Sequence, residues 1–218
     1  MQIAVVDLGI GNLRSVEQAL HKVAPDADVR VTADASIVDS ADRIVLPGQG
    51  AIGTWFSALR ERDLENKIKA AIQQKPLLGI CVGMQALFSY CEEDGGMPGL
   101  AAYDGSVRHF SDFHADRDTS KARLKIPQMG WNQVTQTQEH SLWHGIEDHS
   151  HFYFVHSYCA NLNEGGDEKV ICGVAEYGHE FIAAVASENI FAVQFHPEKS
   201  HKDGLQLLKN FTQWNGNG

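Results

Sequence analysis

The sequence predicts a doubly wound α/β fold, with a parallel sheet between two layers of helices, and three observations support this fold class. Short apolar runs alternate with amphipathic segments over the first ninety residues, as in βαβ units. The apolar run at 77–80 is typical of a strand covered on both faces. After residue 100, β-branched and aromatic runs follow one another with little helix between them, which predicts antiparallel strands. The length suits one domain over residues 1–218.

The first ninety residues supply the parallel strands and the helices between them. Residues 13–23 carry apolar side chains every three or four positions, which predicts an amphipathic helix with Asn12 as its N-cap. A second helical segment is expected to break near Asp63 and to end before Pro76. The predicted elements are, in order, a strand at 2–7, the helix at 13–23, strands at 28–32 and 43–46, the helix at 55–74 and a central strand at 77–80.

The second half of the chain supplies antiparallel additions to the sheet. A hairpin turn is expected at 187–189, and an amphipathic helix closes the chain with Leu205, Leu208 and Phe211 facing inward. Together the two halves predict a flavodoxin-like, mostly parallel sheet with helices on both faces and antiparallel strands in the C-terminal half. The predicted strands of this half lie at 106–110, 152–158, 169–175, 181–185 and 190–195.

The composition excludes several classes of partner. A formal net charge of −10 and a pI near 5.5 disfavour nucleic acid and anionic membranes, and no run of lysines or arginines offers a local exception. No apolar stretch approaches the roughly 18 residues that a membrane span needs. The four cysteines stand far apart, without a C-x-x-C pair, and are expected to be free thiols. We therefore expect a cytoplasmic protein that binds neither nucleic acid nor membrane.

One cysteine stands between two glycines in Gly79-Ile80-Cys81-Val82-Gly83, directly after the predicted central strand. This is the G-x-nucleophile-x-G spacing of a sharp strand-to-helix turn, in which glycines avoid crowding. Such a turn exposes the sulfur at a helix N-terminus, which favours the thiolate and leaves the N–H of Val82 free for an oxyanion. A buried structural cysteine beside two packing glycines is the alternative at this point.

A second candidate segment is F-A-V-Q-F-H-P-E-K-S at 191–200. An apolar strand leads to His196, and Glu198 follows two residues later. The carboxylate of Glu198 can orient the imidazole while its other nitrogen takes a proton from Cys81, which is the logic of a Cys-His-Glu triad. By itself the segment also fits a surface histidine followed by a Glu198–Lys199 pair.

A third candidate segment, Gly48-Gln49-Gly50, ends the strand that precedes the central one. A flexible peptide at a strand's carboxyl end can direct the N–H of Gln49 into the crevice where open α/β sheets bind ligands, beside the N–H of Val82. Taken alone, L-P-G-Q-G-A also fits a simple Pro-Gly turn. The chain order of P-G-x-G, the cysteine turn and H-P-E favours one shared site.

These motifs resemble those of a known family. G-I-C-V-G-M-Q, Q-F-H-P-E-K-S and P-G-Q-G are similar to motifs of the class I glutamine amidotransferases, which hydrolyse glutamine to glutamate and ammonia. Within that family, D-L-G-I-G-N-L-R-S-V, I-P-Q-M-G-W-N-Q-V and F-Y-F-V-H-S-Y resemble the glutaminase subunits of imidazole glycerol phosphate synthase, from histidine biosynthesis. The resemblance covers nearly the whole chain.

The resemblance implies a role for each matching residue. Cys81 is the nucleophile, His196 the base and Glu198 the residue that orients it. Gln128 stands where the family usually has histidine, and Gln49 where a small apolar residue is common. The positions matching substrate-binding residues are Gly48, Gly50, Gln85, Glu93, His156, Ser157 and Tyr158. The positions matching a partner interface are Asn12, Gln128, Met129, Gly130, Trp131, Asn132 and Tyr153.

The chemistry implied by the resemblance is amide hydrolysis through a glutamyl thioester, which needs no metal and no cofactor. The ammonia would pass to a (β/α)8-barrel cyclase in a heterodimer, which makes imidazole glycerol phosphate and an aminoimidazole carboxamide ribonucleotide. The alternatives are the glutaminase subunit of another synthase, a cysteine hydrolase for a peptide or small ester, and a non-catalytic binding module. A histidine-rich segment at 140–151 is interpreted as a solvated loop rather than a metal site.

Overall fold

The computed structural model of the chain describes residues 1–113 and 125–216. Its strands are β1 (Gln2–Val6), β2 (Asp28–Thr32), β3 (Arg43–Gly48), β4 (Leu77–Cys81), β5 (Phe88–Cys91), β6 (Met97–Pro98), β7 (Tyr103–His109), β8 (Gln128–Gln133), β9 (Thr135–Gln136), β10 (His151–His156), β11 (Tyr158–Leu162), β12 (Ile171–Glu176), β13 (Glu180–Ser187) and β14 (Ile190–Val193). Its α-helices are α1 (Leu13–Val23), α2 (Ala35–Ser40), α3 (Ile52–Glu61), α4 (Glu65–Gln74), α5 (Val82–Gln85) and α6 (His201–Gln213). Short 3-10 turns lie at Glu93–Gly95, Phe110–Phe113, Ser141–Trp143, Glu168–Val170 and Pro197–Lys199.

Within these two ranges, twelve strands form one sheet in the order β2-β1-β3-β4-β14-β13-β11-β7-β5-β6, with β12 paired to β13 and β9 paired to β12. The five strands from β2 to β14 are parallel, and β4 lies between β3 and β14. Beyond β14, the pairs of β13 with β14, β11 with β13 and β11 with β7 are antiparallel. A separate antiparallel pair joins β8 and β10. The predicted parallel core with antiparallel additions is confirmed.

Helices cover the parallel core, so its middle strand is buried along its whole length. Every residue of β4 is buried, as the apolar run predicted. Helix α1 packs against α6, and α2 packs against α4. In the part of the chain that the structure describes, no helix is both long enough and apolar enough to cross a membrane.

The helical segment predicted at 55–74 is two helices, with the break where it was expected. Helix α3 begins earlier, at Ile52, and α4 begins at Glu65. Between them, Asp63 has a φ of 54°, a left-handed conformation through which a right-handed helix cannot continue. The interruption near Asp63 is therefore confirmed.

The single strand predicted at 152–158 is wrong, because the chain changes sheets at Ser157. Strand β10 ends at His156 and pairs with β8, whereas Tyr158 pairs with His109 of β7 in the large sheet. An aromatic and β-branched run fits either strand equally well. The β-propensity of these residues therefore does not indicate that the run divides into two strands.

The C-terminal predictions are confirmed with small shifts. Ser187 pairs with Ile190 across the predicted hairpin turn. Helix α6 begins two residues before the predicted amphipathic stretch, and it buries Leu208 and Phe211 while Leu205 is half-buried. The helix therefore presents its apolar face to the core as the period of its side chains indicated.

The residue before α1 contacts the end of β3 rather than capping its own helix. Asn12 occupies the N-cap position, but its side chain makes no capping hydrogen bond. Its backbone N–H donates to Oε1 of Gln49 at 3.3 Å. A side chain on Gly11 would lie 3.1 Å from Cβ of Gln49, so the two loops pack closely.

The turn from β4 into α5 depends on glycines that no other residue can replace without displacing backbone. A Cβ on Gly83 would lie 1.8 Å from the carbonyl oxygen of Leu46 in β3. A Cβ on Gly79 would lie 2.9 Å from Cβ of Ala192 in β14. The two glycines that flank Cys81 therefore let α5 sit directly on the carboxyl ends of the neighbouring strands, as the sequence predicted.

We expect Gly83→Ala to lower the free energy of unfolding by about 3 kcal/mol or more, because the added methyl group meets the backbone of a buried strand. Urea titration followed by circular dichroism measures the loss. Gly95→Asn is the matched control, because Gly95 faces open space and asparagine tolerates its positive φ, so the change should cost about 1 kcal/mol or less. A Gly83→Ala protein as stable as the wild type would contradict the close approach of α5 to β3.

Candidate active site

The register of three parallel strands brings the candidate segments together. Gly48 of β3 lies opposite Cys81 of β4, so Gln49 and Val82 leave adjacent strand ends side by side. Val193 of β14 lies opposite Ile80, so the chain leading to the predicted base runs past Cys81 on the other side. The carboxyl ends of parallel strands form the edge at which open α/β sheets bind ligands.

Cys81 is the last residue of β4, and its φ of 54° and ψ of −110° are typical of neither strand nor helix. Its Sγ lies 3.9 Å from the carbonyl oxygen of Val155 and 3.6 Å from Nε2 of Gln194. The residue is 4% exposed, so the expectation of an exposed sulfur is wrong: Cys81 is buried and lines a partly open cavity. Helix α5 has only four residues, so it provides a few free N–H groups beside Cys81 rather than a long helix dipole.

The predicted base and its orienting carboxylate are in contact. Nδ1 of His196 lies 2.8 Å from Oε1 of Glu198, and the two side chains are 2% and 1% exposed. Pro197 begins a 3-10 turn, which folds Glu198 back onto the ring. The backbone of His196 is also held, because its N–H donates to the carbonyl of Tyr153 at 2.9 Å and its carbonyl accepts from the hydroxyl of Ser200 at 2.6 Å.

The pKa of His196 is raised well above its ordinary value. Burial alone lowers this pKa, but the neighbouring Cys81 and the carboxylate of Glu198 more than offset that effect. Nε2 of His196 and Oε2 of Glu198 have no aligned hydrogen-bond partner among the described residues. Cys81 is nevertheless close enough to act on the ring by charge and by hydrogen bonding. The arrangement favours the imidazolium form of His196 beside Cys81.

A cavity of about 450 Å³ opens at the sulfur, within the size range of small-molecule sites. Volume alone does not identify it, because a surface cleft beside Trp131 and His201 is equally large. The cavity at Cys81 differs in holding a nucleophile with a paired histidine. Its lining residues are Gln49, Gly50, Cys81, Val82, Gln85, Glu93, Pro127, Val155, His156, Ser157, Tyr158, His196 and Lys199.

Two of the predicted substrate-binding residues present acceptors to this cavity. Oε2 of Glu93 accepts from the N–H of Ile52 at 2.8 Å, at the start of α3, which leaves Oε1 for a ligand. Burial raises the pKa of Glu93. Gln85 uses its Nε2 to donate to the carbonyl of Tyr158 at 3.1 Å and to Oε1 of Gln194 at 3.0 Å, which leaves its own Oε1 for a ligand. Two acceptors so placed suit an ammonium group.

His156 lines the cavity as a neutral ring. Burial lowers its pKa to about 4. Its Nδ1 lies 2.7 Å from the carbonyl of Tyr158, and its Nε2 lies 2.9 Å from Oε1 of Gln128. A neutral imidazole donates through one nitrogen only, so two oxygen partners conflict. Turning the Gln128 carboxamide by 180° resolves the conflict, because its NH₂ then donates to Nε2.

The predicted interface residues occupy a surface formed by β8, β10 and the start of α6. Met129 and Trp131 are 64% and 45% exposed, and the Trp131 ring stacks on His201 at 4.8 Å. Tyr153 lies opposite Trp131 in the β8–β10 pair. Gln128 differs from them, because it is 3% exposed and turned toward His156.

The remaining predicted interface residues are Gly130 and Asn132 in β8 and Asn12 before α1. Gly130 follows Met129 in β8, with a φ of 141°. Asn132 donates from Nδ2 to the carbonyl of Glu176 at 2.9 Å. Asn12 and Gln49 line a small pocket of about 10 Å³ that also reaches His196. Asn12 of the predicted interface therefore packs near His196, the predicted base.

The other described cysteines and histidines do not line the cavity. All four cysteines are free, and burial raises the pKa of Cys91, Cys159 and Cys172 to about 12. His140 is half-buried against Phe191 rather than solvated, so the expectation of a solvated loop is wrong at this residue. In the two ranges that the structure describes, no group of three or more histidine, cysteine or acidic residues is arranged to hold a metal ion.

Gln194 is the site residue that the sequence analysis missed. It is fully buried, and its Nε2 is in contact with the sulfur of Cys81. The available signal was a glutamine inside the apolar run F-A-V-Q-F, because a polar side chain in a buried strand requires a hydrogen-bond partner.

Comparisons with known proteins agree with this geometry. A sequence profile of the family Glutamine amidotransferase class-I matches residues 4–214. The chain is 51% identical over 212 residues to imidazole glycerol phosphate synthase subunit HisH of Dechloromonas aromatica, covering 97% of this chain and 96% of that protein. It is 47% identical over 214 residues to the subunit of the same name from Pseudomonas putida, covering 98% of each.

Solved structures show the same fold at low sequence identity. A crystal structure of a glutamine amidotransferase is similar with a TM-score of 0.65 at 18% identity, covering 97% of each chain. The glutaminase domain of Trypanosoma brucei CTPS, with bound acivicin, is similar with a TM-score of 0.60 at 17% identity, covering 99% of this chain and 95% of that one. These likenesses confirm the predicted fold class.

Lowering the pH from 7 to 5 should reduce the free energy of unfolding through His156. Its pKa falls from 6.5 to about 4 on folding, so the unfolded chain binds the proton first and stability rises with pH between these values. Between pH 7 and pH 5, we expect the free energy of unfolding of His156→Gln to fall by about 2 kcal/mol less than that of the wild type. Urea titrations at the two pH values measure the difference, and His140, with a pKa of about 4, contributes equally to both proteins. Equal pH sensitivity would contradict a neutral, buried His156.

Proposed function

The chain belongs to the class-I glutamine amidotransferase family, among the HisH subunits of imidazole glycerol phosphate synthase, and on this premise we propose that it is the glutaminase subunit of such a synthase. The observation that carries the proposal is the convergence of Cys81 and His196 on one cavity, with Glu198 hydrogen-bonded to the histidine ring. We also propose that residues 1–218 form one amidotransferase domain, since the family profile spans 4–214. Four free thiols suit a cytoplasmic location.

The proposed reaction is hydrolysis of the side-chain amide of glutamine by acyl transfer. The thiolate of Cys81 attacks the amide carbon, and the C–N bond breaks as the His196 imidazolium gives its proton to the departing ammonia. The neutral imidazole then takes a proton from water, whose oxygen attacks the thioester carbon and releases glutamate and the thiolate. Glu198 holds Nδ1 throughout, so Nε2 faces the reacting atoms.

The developing oxyanion needs N–H donors beside the sulfur. Val82 directly follows Cys81, and Gln49 follows the residue opposite Cys81 in the sheet register. Both residues line the cavity. One such donor contributes roughly 2.7–4 kcal/mol to transition-state stabilisation. We assign the two backbone N–H groups to the oxyanion.

Glutamine recognition follows from the acceptors at the far side of the cavity. Oε1 of Glu93 and Oε1 of Gln85 are free for the α-ammonium group. Ser157 and Tyr158 line the same wall, where the chain passes from β10 to β11. A carboxylate and an amide oxygen select for a zwitterionic amino acid over a simple amide or ester, which favours a glutaminase over a general cysteine hydrolase.

The proposed partner is a cyclase subunit of (β/α)8-barrel fold, which would receive the ammonia in a heterodimer. The exposed Met129 and Trp131 of β8 provide an apolar contact surface, with Tyr153 beside them. Tyr153 is also tied to the triad, because its carbonyl accepts from the N–H of His196 and its own N–H donates to Oγ of Ser200. Partner binding at this surface can therefore act directly on the position of His196.

We expect Cys81→Ala to lower glutamine-dependent synthesis by the complex at least about a thousandfold, because the nucleophile is lost. Synthesis from added ammonium salt should continue, since the cyclase is unchanged. Product formation from each nitrogen source, with a cyclase partner present, measures both activities. Cys159→Ala is the matched control and should stay within about threefold of the wild type, because a buried thiol of high pKa is inert.

Two outcomes would contradict the proposal in different ways. Glutamine-dependent turnover that survives in folded Cys81→Ala would overturn the triad. Glutamine hydrolysis that is normal but never coupled to an imidazole glycerol phosphate cyclase would indicate the subunit of another synthase.

A further inference from the structure

The side chain of Gln194 is a buried amide in direct contact with the sulfur of Cys81. Gln194 is 0% exposed, and its Nε2 lies 3.6 Å from Sγ. A carboxamide is costly to bury unless its polar atoms are hydrogen-bonded. Its contact with the nucleophile therefore requires an explanation in terms of hydrogen bonding rather than packing.

The sheet register fixes where this side chain lies. Val193, the last residue of β14, is opposite Ile80 of β4, so Gln194 and Cys81 directly follow a matched pair of residues on adjacent strands. The contact of Nε2 with Sγ at 3.6 Å shows that the two side chains meet at this point. The backbone N–H of Gln194 still donates to the carbonyl of Ala183 at 2.9 Å, so the pairing with β13 holds the residue on its other side.

The orientation of the Gln194 amide follows from a chain of hydrogen bonds that begins at a backbone carbonyl. The carbonyl of Tyr158 can only accept, so the group of Gln85 that faces it at 3.1 Å is the NH₂. The same NH₂ lies 3.0 Å from Gln194, which must therefore present its oxygen to Gln85. The NH₂ of Gln194 is then the group that faces the sulfur.

The surroundings of the sulfur show which ionisation state this donor favours. The neutral thiol can donate its proton to the carbonyl of Val155, 3.9 Å from Sγ. The thiolate has no proton to donate, so that carbonyl disfavours it. An N–H from Gln194 has the opposite effect, because hydrogen bonds to a charged acceptor are stronger than those to a neutral one.

We propose that Gln194 is a catalytic residue whose side-chain N–H donates to the thiolate of Cys81. It stabilises the sulfur as the attacking nucleophile and again as the leaving group when water cleaves the thioester, while the thioester sulfur between these steps is a weak acceptor. The role rests on the proposed function, in which Cys81 is the nucleophile. Gln85 acts through Gln194 as a positioning residue, because it holds the oxygen of that amide away from the sulfur.

The charged and titratable groups around the sulfur are distinct from this donor. Among the described residues, Gln194 makes its side-chain hydrogen bonds to Gln85 and Cys81 and to no acidic, basic or histidine side chain. Replacing it therefore removes one N–H without removing a charge. The titratable groups that face the cavity, or the histidine beside the sulfur, are His196, Glu198, His156, Glu93, Tyr158 and Lys199.

The test is the pH dependence of alkylation of Cys81 by iodoacetamide in the full-length chain, compared between wild type and Gln194→Met. A hydrogen bond to a charged group shifts the pKa of that group by about one to two units. The pH at the midpoint of alkylation should therefore rise by about one unit or more in Gln194→Met. Peptide mass spectrometry assigns the label to Cys81, and the three other buried thiols should stay unlabelled. With the partner present, kcat for glutamine should fall about tenfold or more near neutral pH while KM changes little.

Two further variants separate the loss of the N–H from a loss of packing. Gln194→Glu keeps an oxygen for Gln85 but sets an oxygen against the sulfur, so it should raise the alkylation midpoint at least as much. Asn210→Leu is the matched control, because Asn210 is a buried amide that donates to the carbonyls of Leu142 and His144. It should lower the melting temperature without moving the alkylation midpoint.

An unchanged alkylation midpoint in folded Gln194→Met, or in Gln194→Glu if the first variant does not fold, would overturn the proposal. A shift that is equally large in Asn210→Leu would also overturn it, because the effect would then be one of general destabilisation. A failure of the proposed function gives a different result. If Cys81 is not the nucleophile, folded Cys81→Ala still hydrolyses glutamine, whatever the Gln194 variants show.

Discussion

The parallel pairing of β4 with β3 on one side and β14 on the other is the constraint on which the site depends. It sets Gly48 opposite Cys81 and Val193 opposite Ile80. The oxyanion donors, the nucleophile, its amide contact and the approach to the base all follow from these two registers. A slip of one residue would turn Cys81 to the other face of the sheet. The flanking glycines hold the register, since Gly83 fits against β3 only without a side chain.

Burial of the charged groups explains how a single sheet edge can be reactive at neutral pH. His196 and Glu198 are almost completely removed from water, so the attraction between the imidazolium and its two partners is not screened. The backbone of His196 is anchored to β10 and to Ser200 at the same time. The exposed surface of β8 and β10 thus shares hydrogen bonds with His196, so the proposed partner surface and the proposed base are coupled without a large movement of the chain.

The parallel core could be predicted from the consecutive apolar residues of β4. The three positions proposed for catalysis also have local signals, which are the glycines around Cys81, His196 at the end of an apolar strand and Glu198 two residues later. Features that depend on contacts between distant segments could not be predicted from the sequence. The change of sheet at Ser157 follows from which strands pair with its neighbours. The contact of Gln194 with the sulfur follows from a register that no single segment encodes.

Covalent capture tests whether Cys81 is a nucleophile in a cavity shaped for glutamine. The full-length chain is incubated with a diazoketone analogue of glutamine and examined by intact and peptide mass spectrometry. We expect one adduct per chain, on Cys81, whose formation slows when glutamine is added and is lost in His196→Ala. An adduct on another residue, or an unlabelled Cys81 in a preparation that hydrolyses glutamine, would contradict this expectation.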